Sequence, residues 1–313
     1  MIRTTLFIVG VMLYAIGNAQ PISVNAKVLD EKLPEEAARN LETKLQSALT
    51  ANGYADNGYV ERFVLTAKID IIQKDVTPTT PARISENMDI TLMVGDIVEN
   101  KLYASVTLQA AGIGTNDNKA FINAFRSING DNPKIQQMLN EAKEKIIEYY
   151  SNQCPVIIRK VKGLVATQAF DEAIFLLASV PDVCKDCFTQ CQQQAGVVYK
   201  QKIDAESTIL LEKAKTVWAT SNQNVQSANE VADIISQINP RCSNYAEVLA
   251  LRSSIELKLQ ADAKRDWHFK MKQYEDNEKY KQSIVDAYKT VAVAYAKNRP
   301  ATIYRTIIRS WWY

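Results

Sequence analysis

Five cysteines, Cys154, Cys184, Cys187, Cys191 and Cys242, are the side chains of this sequence best suited to chemistry. Three of them, spaced Cys184-x2-Cys187-x3-Cys191, could offer soft sulfur ligands to a metal, but no fourth ligand is placed nearby. The Cys184 and Cys187 pair could instead work as a thiol redox centre. Such centres normally sit in a thioredoxin-like strand and helix, whereas Pro181-Asp182-Val183 leads into this one from a helix. Outside the cytoplasm the ordinary use of cysteine is cross-linking, so all five are disulfide candidates. Cys184 with Cys187, or Cys154 with one of the cluster, are the first pairs to test, and an odd count leaves one over. Neither a metal nor a cofactor is expected.

Other chemistry is sparse. The single histidine, His268, lies in a charged and aromatic helical stretch with no serine or cysteine at a spacing it could activate. Adjacent acids such as Glu35-Glu36 and Asp171-Glu172 are explained by helix starts and solvated faces, so no catalytic residue is assigned. Gly112-Ile113-Gly114-Thr115-Asn116-Asp117 joins a strand to a helix, and Gly112, Gly114 and Thr115 could present backbone N–H groups to a small anionic ligand. The same glycines would equally serve a tight turn, with small alanines letting the helix approach the sheet. The chain ends Trp311-Trp312-Tyr313 behind Arg305 and Arg309, a combination suited to a protein groove, a membrane interface or the protein's own core.

The elements that must position these groups begin with an address. Arg3, an apolar run from Leu6 to Ile16, and Gly17-Asn18-Ala19 before Gln20 predict a signal peptide over residues 1–19, cleaved near Ala19-Gln20. The product would be periplasmic or secreted. The 313 residues suit about two domains. With 37 basic and 35 acidic side chains the net charge is +2, which gives no field for nucleic acid. No second apolar run is long enough to span a bilayer.

Residues 20–130 predict a small α/β domain with a mostly antiparallel sheet. Ile22, Val24, Ala26 and Val28 alternate as a first strand, and Pro34-Glu35-Glu36 opens a helix striped by Leu41, Leu45, Ala48 and Leu49. Strands follow near 60–73, 88–98 and 102–111, with Leu92, Val94 and Ile97 expected to share a buried face with Tyr103, Val106 and Leu108. This β-α-β-β-β-α order, passing through Gly112-Ile113-Gly114-Thr115 into Lys119-Ala120-x3-Ala124, resembles the amino-terminal α/β domain of TolB-like and curli-secretion-channel-like envelope proteins. The resemblance implies an envelope protein that binds other proteins. Propeller blades, membrane hairpins and a lipidated cysteine are all lacking, which puts pore formation in doubt.

After residue 130 the period becomes helical. A connecting helix is expected over 131–155, ending before Cys154-Pro155, and a helical-hairpin domain over 156–313. Within it Glu172–Pro181 matches Glu230–Asn239, and Cys184 matches Cys242, at one offset of 58 residues. Two related units are therefore expected near 165–215 and 223–275, unless the match is an accident within an ordinary bundle. Ala169-Phe170-Asp171-Glu172-Ala173-Ile174-x2-Leu177 resembles part of a tetratricopeptide helix pair, although 58 residues exceed that family's repeat. From Tyr245 to Asn298 there is no glycine or proline, which predicts a long carboxy-terminal helix or a pair broken at Asp276-Asn277.

The fold class expected is thus α+β, and the function a non-enzymatic envelope scaffold that binds envelope proteins. The tail would add peripheral membrane contact, and a homo-oligomer is compatible with the helical surfaces. A periplasmic thiol oxidoreductase at Cys184/Cys187 and a small-ligand binder at Gly112 to Asp117 are the alternatives.

Overall fold

The structure is a computed structural model that describes residues 22–30, 32–54, 62–277 and 280–312. It is α+β: a four-stranded sheet at the amino-terminal end, then a succession of helices. Strand β1 (Val24–Ala26) runs parallel to β2 (Phe63–Thr77), and β2, β3 (Arg83–Asp96) and β4 (Lys101–Gly114) are antiparallel neighbours in the order β1-β2-β3-β4.

Helix α1 (Glu35–Ala51) connects β1 to β2. Glu35 and Glu36 in its first turn face the positive end of the helix dipole, and Leu41, Leu45, Ala48 and Leu49 form the buried stripe. The sheet turns Leu65, Ala67, Ile69, Ile90, Leu92, Val94 and Leu108 onto the same core. Ile97 does not join them. It lies one residue past β3, where the two-residue strand period carries it to the other face, and it packs with Val64 and Ile308. Tyr103 reaches the main core because the register slips beside it: Val94 opposes Ala104 while Gly95 opposes Leu102.

Beyond β4, α2 (Asp117–Ala124) and a 3-10 turn (Phe125–Ser127) lead to α3 (Pro133–Ala166). The helix expected to stop before Cys154-Pro155 runs straight through it. A proline inside a helix costs about 3 kcal/mol, but α3 buries Ile146 and Tyr150 on one side of Pro155 and Ile157 and Val161 on the other. At roughly 1.5–3 kcal/mol per buried side chain, the packing wins.

The helical half comprises α4 (Phe170–Ala178), α5 (Lys185–Thr220), α6 (Val225–Ile235), α7 (Tyr245–Glu256), α8 (Ala261–Glu275), α9 (Ile284–Lys297) and α10 (Ala301–Ser310). The single long carboxy-terminal helix is corrected to shorter pieces: the break offered at Asp276-Asn277 is present, after Glu275, and a further one follows Glu256. Helix α9 folds back onto α4 and α5. One continuous core links the sheet, α1 to α4, the first half of α5, and α9. A second core gathers the far half of α5 with α6, α7 and α8.

Candidate functional site

The sulfur chemistry converges where α3 meets the start of α5. Because α3 continues past Pro155, Cys154 lies beside Cys187 on α5, and the two form a disulfide with a Cα to Cα distance of 5.6 Å. Cys184 is not the partner of Cys187. It occupies the N-cap position of α5 without a side-chain capping bond, a buried thiol pushed up to about 11 by burial and by Asp182. Cys191 stands one turn beyond Cys187, with its Sγ 4.0 Å from that of Cys187, and burial pushes its thiol up to about 11. Cys242 is buried in the second core.

A second cluster lies where the sheet meets α3 and the end of α4, and has no sequence motif. Arg62, 2% exposed, donates from Nε to Oδ2 of the wholly buried Asp96 at 2.7 Å. Its Nη1 donates to Ser179 Oγ at 2.6 Å, and Tyr150 OH donates to the same Asp96 oxygen at 3.1 Å. The other carboxylate oxygen accepts from the backbone N–H groups of Val98, 2.8 Å, and Glu99, 3.1 Å. Burial acts to discharge Arg62, but Asp96, Tyr150 and Glu99 outweigh it and hold the guanidinium above its ordinary range. Burial raises the Tyr150 hydroxyl far above its usual value, so it remains a donor. The cluster ties the sheet to α3 and to the loop after α4. Arg62 Nη2 has no hydrogen bond and lies 3.5 Å from Glu99 Oε1, so the guanidinium is held at Nε and Nη1 and by charge.

The Gly112 to Asp117 segment is not the loop expected. Gly112 and Gly114 lie within β4, and a Cβ on Gly112 would fall 1.9 Å from the Ala120 carbonyl oxygen. On Gly114 it would fall 2.5 Å from the Ala120 nitrogen. The glycines therefore admit the backbone of α2 against the strand. Thr115 precedes Asn116, whose Oδ1 caps α2 by accepting from Lys119 N at 2.9 Å. A shallow depression beside them is lined by Arg83, Thr115, Lys119 and Asn123.

The aromatic tail closes on its own sheet. Helix α10 buries Ile308 against Val64 and Ile97 on the face opposite the main core. The half-buried Trp311 lies over Gly95 and donates from Nε1 to Asn100 Oδ1 at 3.0 Å, while Trp312 packs beside it. Tyr313 lies outside the described residues. The glycine pair and the tryptophans thus sit at opposite ends of β4 and form no common site. His268 is 55% exposed on α8, with Nε2 3.0 Å from Glu256 Oε1.

Comparison with protein families and with curated proteins finds no match. A solved structure, a minor lipoprotein from Acinetobacter baumannii, is similar over 39% of this chain and 94% of that one. The identity is 20% and the TM-score 0.26, too low to carry an argument about fold or function.

Proposed function

We propose that the chain is exported to the cell envelope and acts there as a non-enzymatic scaffold, holding other envelope proteins on the outer faces of its helical hairpins. The observation that carries this reading is an asymmetry between the two cores. The first hairpin shares a core with the sheet, is tied to it through Arg62 to Ser179 and Tyr150 to Asp96, and has α3 and α5 joined by the Cys154 to Cys187 disulfide. Among the described residues the second unit has no such tie and leaves Leu257 84% and Phe269 67% exposed on or beside its helices; apolar exposure of this size recurs on the first body only at the end of β2, at Ile72 66% and Val76 63%. Exposed apolar groups carried by α5 out of a cross-linked body suit partner binding.

Export is supported by the charge, apolar run and small residues of positions 1–19, and by a disulfide of the kind kept in oxidising compartments. No described helix is long and apolar enough to cross a membrane. The thiol oxidoreductase alternative is weakened, because Cys187 is bonded to Cys154 and the Cys184 thiol is raised well above neutral pH. Contact with the envelope is assigned to the second unit in preference to the tail, whose apolar stripe faces the sheet.

Photo-crosslinking in intact cells tests the proposal. Probes at Leu257 and Phe269 should give the same discrete protein adduct, which Leu249→Asp, at a residue 44% exposed on α7, should suppress while the fold survives. A chain that stays in the cytoplasm, or adducts no stronger than those from a probe on exposed α1 residues, would end it.

A further inference from the structure

The Cys154 to Cys187 disulfide does not exhaust the sulfur chemistry at the α3 and α5 junction. The Sγ atoms of Cys154, Cys187 and Cys191 all lie within 4.8 Å of one another, and all three residues are buried. Three sulfurs each about 2.3 Å from a central ion stand about 4 Å apart, using the usual metal–thiolate bond length. The 4.0 Å between Cys187 and Cys191 already matches that spacing. Cys154 need only withdraw from Cys187 once their bond is opened.

Cys191 is fully buried in the same core, with its sulfur facing that of Cys187. A metal ion can take the place of a thiol proton there. Among the described residues no further His, Cys, Asp or Glu joins the three sulfurs, which belong to the same apolar core as Val198 and Ile157. Zinc favours four ligands. Three thiolates in a dry, soft environment suit a monovalent copper ion.

We propose that, in its reduced form, this chain binds one Cu(I) ion through Cys154, Cys187 and Cys191, and that closing the Cys154 to Cys187 disulfide abolishes the site. A dithiol reductant opens it, giving two electrons and two protons to the Cys154 to Cys187 bond and becoming a disulfide itself. Cu(I) then displaces three thiol protons to solvent, and no electron moves in that step. The copper and the disulfide compete for the same two sulfurs, so the site reports the redox state of its surroundings. Cys184 and Cys242, buried thiols outside the trio, take no part.

The test uses the full chain, reduced anaerobically with a phosphine and titrated with Cu(I) against a chromophoric Cu(I) chelator. One equivalent should be withheld from the chelator by the reduced chain and none by the oxidised chain. Cys191→Ser should lose that binding, while Cys184→Ser and Cys242→Ser keep it. X-ray absorption of the loaded wild-type chain, which needs no variant to fold, should show three sulfur neighbours. Failure of the reduced chain to withhold copper, equal binding by Cys191→Ser and Cys184→Ser, or two sulfur neighbours would each overturn the assignment.

Discussion

Cys184 and Cys242, 58 residues apart, close equivalent turns ahead of the second helix of each unit. The Cys184 N–H donates to Pro181 O at 3.1 Å, and the Cys242 N–H to Asn239 O at 2.9 Å. Val180 and Ile238 are buried at matching positions, and each cysteine precedes the helix of its unit. The units differ one turn later. Cys187 staples the first to α3, whereas Tyr245 stands at the equivalent place in the second.

That difference predicts unequal opening. The second unit has its own core and no cross-link, while the first shares its core with the sheet. Native-state hydrogen exchange should therefore find α6, α7 and α8 exchanging through a lower-energy opening than α4 and the central strands. Exchange of both units in a single step would contradict the separation of cores.

The Arg62 and Asp96 pair makes a sharper prediction. Asp96→Ala strands a buried guanidinium and should cost about 3–5 kcal/mol in urea unfolding. Tyr150→Phe removes one donor to the same carboxylate and should cost roughly 1–3 kcal/mol. The joint change Arg62→Met with Asp96→Leu should be much milder than Asp96→Ala alone. A double replacement as damaging as the single one would show that the charges are not coupled.

Glycine positions separate packing from ligand binding in β4. Gly112→Ala drives a methyl into the Ala120 carbonyl and should unfold or severely destabilise the sheet module. Gly163, inside α3, has nothing within 4 Å of an added Cβ. Gly163→Ala should stabilise by about 0.5–1 kcal/mol, as removal of a helical glycine does. A fully stable Gly112→Ala chain would return that segment to consideration as a ligand loop.

The parts of the fold visible in advance were those set by local periodicity. The α1 stripe of Leu41, Leu45 and Leu49 and the strand alternation of Leu92 and Val94 follow from neighbours along the chain. What escaped depended on distant contacts. Nothing near Cys154-Pro155 announces that packing on both sides will carry a helix across a proline, and without that continuity the Cys154 to Cys187 pairing is one choice among several. Arg62 and Asp96 lie 34 residues apart and obey no motif. A charged residue at Asp96, in step with buried Leu92 and Val94, was the available signal.

Trp311 and Gly95 provide a test of the tail. A Cβ on Gly95 would fall 2.5 Å from the indole ring, so Gly95→Ala should evict Trp311 from the sheet. Its emission should shift to the red, read as the difference from a Trp311→Phe chain, with a stability loss of about 1–3 kcal/mol. Unchanged emission would mean that α10 does not hold this face in solution.

Glu86 links pH to stability. It faces Lys74 across β2 and β3, with Oε1 3.4 Å from Lys74 Nζ, yet neither carboxylate oxygen finds a well-formed hydrogen bond. Burial raises its pKa most, Lys74 opposes the rise, and Asp117 adds to it. A carboxyl whose folded pKa lies above its unfolded one favours the protonated form on folding. Its contribution is therefore fully present below the ordinary glutamate range and is lost as pH rises through the higher folded value. At neutral pH the charged form is a burden that Lys74 only partly offsets. Glu86→Gln should accordingly raise the urea midpoint at pH 7, and the advantage should vanish when the wild-type carboxyl is protonated below its unfolded pKa. A Glu86→Gln chain less stable at pH 7 than at pH 4, each relative to wild type, would reverse the sign and make the Lys74 ion pair the stronger influence.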